Sequence, residues 1–91
     1  MATKIFVDAG HGGSNPGAVG NGVTEERVNL SVATQLAQNL RNAGYDVMEY
    51  RTTRDENVLD NVAQDLRNRA RMANEWGADY FVSIHTNSSL N

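Results

Sequence analysis

One stretch constrains this chain more than any other: Ile5-Phe-Val-Asp-Ala-Gly-His-Gly-Gly13. Ile5, Phe6 and Val7 form an apolar, β-branched run that reads as a short buried strand over residues 4–8. The chain then turns through Gly10, Gly12 and Gly13 with His11 held among them. Glycine there permits positive φ and close backbone approach. A histidine just past a strand end lies where open α/β sheets bind ligands, although a surface histidine in a flexible loop is the simpler reading of the stretch alone.

The rest of the chain alternates helix and strand. Residues 9–24 read as a loop with a tight turn at Asn15-Pro16-Gly17, and loops of this length are commonly functional. A first helix is expected from Thr24 or Glu25, with Thr24 as its cap and Glu25 and Glu26 complementing the helix dipole. Val28, Val32, Leu36 and Leu40, widened by Leu30, Ala33 and Ala37, form its sheet-facing stripe, and Gly44 ends it. Val47 to Tyr50 reads as a second strand. Arg51 to Asn57 is a polar connection in which Arg54 and Asp55 can pair locally. A second helix is expected from about Leu59 to Trp76, with Leu59, Val62, Ala63, Leu66, Ala70 and Ala73 inward and Arg67, Arg69 and Arg71 solvated. Gly77 ends it, and Tyr80 to Ile84 forms a third strand leading into His85-Thr-Asn87. The βαβαβ order with right-handed crossovers and one helix per face predicts an α/β fold with spatial strand order 2-1-3.

That topology gathers chemistry on the carboxyl edge of the sheet. His11 follows strand one, His85 ends strand three, and Glu25 opens the intervening helix. Two imidazoles and a carboxylate suit a divalent cation, most often Zn²⁺ in hydrolases. Two structurally satisfied histidines are the alternative, and the glutamates can serve the helix dipole alone. A phosphate loop is disfavoured, because position 15 is Asn where G-x-G-x-x-G needs glycine, no Gly-Lys-Ser/Thr follows, and the helix opens with two glutamates. A small nucleotide-binding α/β domain is therefore the weakest reading.

Composition narrows the partners. The 91 residues allow one small domain, the net charge is −3, and there is no cysteine. Scattered Lys and Arg argue against nucleic acid, and no apolar run approaches the ~20 residues of a membrane span. The N-terminus leads straight into a strand, so no secretory signal is expected within it.

The motifs Asp8-Ala-Gly-His-Gly-Gly13, Asn15-Pro-Gly-Ala18, a helix-opening Glu, Arg54 and Asp55, Arg69 with Ala73-Asn74, and Ser83-Ile-His-Thr-Asn87 resemble the zinc-dependent N-acetylmuramoyl-L-alanine amidases of the amidase-3 type. The resemblance runs over essentially the whole chain. It implies hydrolysis of the amide between N-acetylmuramic acid and L-alanine in peptidoglycan, at the bacterial cell wall, as autolysins, sporulation amidases and phage endolysins do. It also implies that His11, Glu25 and His85 bind zinc, with the motif register favouring Glu25 over Glu26. Asn87 would lie near the metal, and Asp8 would support His11 or serve the strand-end turn. The family domain is longer and places a general-base Glu on a late strand, so these residues correspond to its first, zinc-binding half. Two expectations follow: impaired catalysis by the 91 residues alone, and self-association through the exposed edge of strand three. A non-catalytic zinc- or cell-wall-binding module of the same ancestry is the alternative.

Overall fold

The structure, a computed structural model, describes residues 2–86. Its elements are β1 (Lys4–Ala9), β2 (Val19–Gly20), β3 (Val23–Thr24), α1 (Glu25–Asn42), β4 (Asp46–Glu49), α2 (Val62–Trp76) and β5 (Tyr80–Ile84). β1 is central and pairs in parallel with β4 and β5, giving the order β4-β1-β5. This is the expected 2-1-3 arrangement of the three long strands. Ile5 lies opposite Val47 on one side and Tyr80 on the other.

β1 is buried almost throughout because both of its faces are covered, as a central parallel strand requires. Ile5, Val7 and Ala9 point to one face, against Ala33 and Ala37 of α1, with Leu30, Leu36 and Leu40 around them. Phe6 points to the other, where it joins Tyr50, Ala73, Met48 and Trp76 beneath α2. Phe6 also stacks on Phe81 of β5, with ring centroids 5.5 Å apart.

The long loop contains structure that the sequence reading lacks. Asn21 and Gly22 both have positive φ (53° and 76°) and join β2 to β3 as a two-residue hairpin. This hairpin brings the loop back to the start of α1. There the Pro16 and Ala18 carbonyls accept from the Glu26 and Glu25 backbone N–H groups, at 3.0 and 2.8 Å. Those orphan donors are thus satisfied by the loop. Thr24 is the cap residue as expected, but its side chain makes no capping bond and donates instead to Glu26 Oε1.

The helices differ from expectation in which face is inward. In α1, Ala33 and Ala37 are buried, but Val32 is half exposed, and Glu26 and Asn29 take the inward positions of the first two turns. In α2 the expected stripe is largely outside: Leu59, Val62 and Leu66 are 42%, 54% and 60% exposed, and Ala63 and Ala70 are exposed too. Its inward face is Asp65, Arg69 and Ala73. Arg69, expected in solvent, is buried, whereas Arg67 and Arg71 are exposed as expected. The helix begins at Val62, later than Leu59, because Asn61 caps it by accepting from the Gln64 N–H, and the Asp65 carboxylate holds the Leu59 N–H outside it. β5 is a sheet edge among the described residues, with Tyr80 and Phe81 exposed.

Candidate metal centre

The carboxyl ends of β1 and β5 lie side by side, and Gly10 N–H donates to the Ile84 carbonyl at 2.9 Å. His11 and His85 therefore meet at one edge, their ring centroids 5.3 Å apart and their planes perpendicular. α1 starts beside them and delivers Glu25. Its Oε1 lies 3.2 Å from His11 Nε2, and its Oε2 lies 3.6 Å from His85 Nδ1. One ligand-capable atom from each of the three residues falls within 4.8 Å of the others. Glu26 faces away, paired with Arg51 at 3.4 Å and buried. The adjacent glutamates point in different directions, as the ~100° step of a helix dictates.

The backbone leaves room for this cluster. A Cβ on Gly10 would meet the His85 ring at 2.4 Å. At Gly17, where φ is +70°, a Cβ would meet both Glu25 Oε1 and His11 Cδ2 at 2.7 Å. Either glycine is therefore required by the approach of the side chains, and Gly17 by its backbone conformation as well.

Electrostatics suit a charged middle member. Burial alone would push the Glu25 carboxyl up, but the Ala18 N–H, His11, the Asn29 amide and His85 together hold it below the usual value. The Ala18 N–H donates to Oε1 at 3.1 Å. The cluster opens to solvent through His85, whose side chain is 51% exposed, while Glu25 forms its floor at 11%. A cleft of about 250 Å³ runs from the histidines along Val62, Leu66 and Arg69. A second, of about 200 Å³, is lined by Glu25, Val23, Val28 and Thr86.

Behind the cluster is a scaffold the sequence reading missed. Arg51 and Arg69 are 1% and 2% exposed. Arg51 donates to the carbonyls of Ala9, Gly10 and Glu26 at 3.0, 2.9 and 2.8 Å. Arg69 donates to the carbonyls of Ala9 and His11 at 2.6 and 2.7 Å, and pairs with Asp8 and Asp65. The carbonyls of residues 9 to 11 are thus held by two guanidinium forks. This fixes His11 in its left-handed backbone conformation, φ 60°, which an L-residue adopts only at a cost in energy. Asp8 consequently acts on His11 through Arg69; its other oxygen accepts from Ser83 Oγ at 2.8 Å. Burial pushes the Arg51 guanidinium down, with Glu26 opposing. Arg54 and Asp55 form only an exposed 3.9 Å pair, but Arg54 is fastened to the glycine turn: its carbonyl accepts from Gly13 N–H at 2.7 Å and its Nε donates to the Gly13 carbonyl at 3.1 Å. Asn87 lies outside the described residues.

A His₂–carboxylate set fits a zinc ion with a position left open, since both donor types are zinc ligands and their spacing needs little adjustment. Sequence comparison gives the family. The N-acetylmuramoyl-L-alanine amidase model of the amidase-3 type matches residues 5–91. A sporulation-specific N-acetylmuramoyl-L-alanine amidase of Bacillus subtilis is 46% identical over 93% of this chain and 31% of its own length. The endolysin of Bacillus phage SPP1 is 36% identical over 98% and 31%. Among solved structures, an N-acetylmuramoyl-L-alanine amidase from Clostridium difficile 630 superposes with a TM-score of 0.85 at 33% identity, over 99% of this chain and 46% of that one. The chain therefore spans about a third of these curated relatives and about half of that solved structure. With matched residues running from the first strand through both histidines, the chain belongs to the amidase-3 family of N-acetylmuramoyl-L-alanine amidases.

Proposed function

We propose that these residues form the zinc-binding part of a peptidoglycan amidase that hydrolyses the amide between N-acetylmuramic acid and L-alanine. The observation carrying this reading is the convergence of His11, Glu25 and His85 within 4.8 Å in a member of a zinc-dependent family. We assign zinc to these three side chains. When bound, zinc supplies Lewis-acid polarisation of an amide carbonyl and acidifies a water.

The chain's own residues do the positioning. His11 presents Nε2 and His85 presents Nδ1 towards Glu25, so these are the nitrogens that would ligate a zinc ion held among the three side chains, each ring's proton then lying on its other nitrogen. Glu25 is held ionised, ready to offset the charge of a cation. The clefts lined by the two histidines and by Glu25 offer room for substrate beside the cluster. The buried carboxylates around the cluster, Asp8, Glu26 and Asp65, are each paired with a buried arginine. None is free to take a proton from water, so the general base is not among these three. That engagement favours a second reading, a non-catalytic zinc- or cell-wall-binding module of the same ancestry. The exposed β5 edge, with Tyr80 and Phe81, is where self-association would occur. A single monomer mass by light scattering across the concentration range would rule that out.

The experiment is hydrolysis of a muramoyl-L-alanine peptidoglycan fragment, with and without added zinc. The enzyme reading expects slow, zinc-dependent release of the peptide, abolished in His85→Ala. Zinc-independent cleavage contradicts it. Zinc binding without turnover leaves the binding-module reading.

A further inference from the structure

We infer that Asn29 is a positioning residue that fastens together the three segments bearing His11, Glu25 and His85. The inference rests on the metal reading above. Asn29 is fully buried one turn along α1 from Glu25. Its Nδ2 donates to the Gly10 carbonyl at 3.1 Å, next to His11. Its Oδ1 accepts from Thr86 Oγ1 at 2.8 Å, next to His85. A single side chain thus touches the immediate neighbours of both histidines from the helix that carries the glutamate.

The consequence is sharpest for His85. That residue follows the last residue of β5 and is bracketed by two attachments. On one side the Ile84 carbonyl accepts from Gly10 N–H; on the other Thr86 is tied to Asn29. Without the second attachment, the sheet holds only the strand end, and His85 can swing away from Glu25. The loss for stability is smaller. The Gly10 carbonyl keeps its bond from Arg51 at 2.9 Å, and Thr86 is half-buried, so its hydroxyl can turn to water. Removing the Asn29 amide should therefore affect metal binding more than folding. Groups that orient metal ligands from behind commonly change affinity by about 10–100-fold.

The test uses the full 91-residue chain stripped of metal with a chelator. Zinc affinity is read by competition with a chromophoric chelator, and ligand geometry by the visible absorption of the Co²⁺-substituted protein. Asn29→Leu and Thr86→Val are expected to weaken zinc binding by about tenfold or more and to alter the cobalt spectrum. Thr86→Ser keeps the hydroxyl and should restore both. Ala37→Gly, buried in the same helix away from the cluster, should lower the melting temperature and leave zinc affinity unchanged. Should Asn29→Leu lose its helical circular dichroism, Thr86→Val decides the matter. Wild-type affinity and spectrum in Thr86→Val or in folded Asn29→Leu would overturn the inference while leaving the metal site standing. A wild type that binds no zinc would remove the metal reading and this inference with it.

Discussion

The two faces of the sheet are built by different physics. Beyond its first two turns, where Glu26 and Asn29 are buried, α1 makes apolar contacts: Ile5, Val7 and Ala9 of β1 meet Ala33 and Ala37, with leucines closing the margins. Under α2 the apolar cluster is smaller, and beside it lies a buried charged network of Asp8, Asp65 and Arg69, with Tyr50 hydrogen-bonded into it. The first face holds a helix to a sheet and tolerates change in proportion to volume. The second holds a loop in one conformation and fails when a single charge is removed. A burial pattern alone does not distinguish them, because both faces exclude water. What differs is what breaks them.

The largest expected effect is on the charged face. Arg69→Met removes the partner of two carboxylates that are 4% and 5% exposed. Stranding buried charges in this way costs about 3–5 kcal/mol, a large share of a small domain's stability. Urea denaturation at neutral pH should show it, whereas Ala37→Gly on the apolar face should cost only about 1 kcal/mol. Comparable losses for the two substitutions would erase the distinction between the faces.

Alkaline pH should sharpen the contrast. Burial, and the bond donated to Asp65 Oδ1 at 2.6 Å, push the Tyr50 phenol up to about 12 from its ordinary 10.0. Between those values the folded chain retains a proton that the unfolded chain has lost. This contribution is therefore fully present below pH 10 and disappears as pH rises towards 12. It amounts to about 2–3 kcal/mol for a shift of this size. Tyr50→Phe should flatten that part of the stability–pH curve; an unchanged slope in this variant would place the alkaline loss elsewhere.

The smallest effect should come from residues that look most like core. Val62→Ser and Leu66→Ser alter side chains that are more than half exposed, so urea denaturation should find each within about 0.5 kcal/mol of wild type. A loss of several kcal/mol would mean that this surface is covered in solution, by a second copy or by further chain.

These contrasts explain which parts of the structure were legible in the sequence. The strand order followed from short apolar runs separated by helical periods, and the meeting of His11 with His85 followed from that order. Glu25 was legible because it opens the helix leaving the glycine turn. The α2 face was not, because apolar spacing puts Leu59, Val62 and Leu66 inside and arginines outside. Arg69 goes inside because Asp8, 61 residues away in sequence, and the carbonyls of Ala9 and His11 supply its partners. A signal was present in the Asp65-Arg69-Ala73 spacing, which puts an acid, a base and a small residue on one helical face. The hairpin at Asn21-Gly22 carried the turn dipeptide that favours it, but only two residues pair on each side, too few for an alternating strand pattern.

The most direct test of the central claim is zinc stoichiometry. Metal-stripped protein would be titrated with Zn²⁺ in a calorimeter, alongside Glu25→Ala, Glu26→Ala and His85→Ala. The account predicts about one ion per wild-type chain, strong loss of binding in Glu25→Ala and His85→Ala, and retained stoichiometry in folded Glu26→Ala. Wild-type binding by Glu25→Ala, or no zinc bound by the folded wild type, would contradict it.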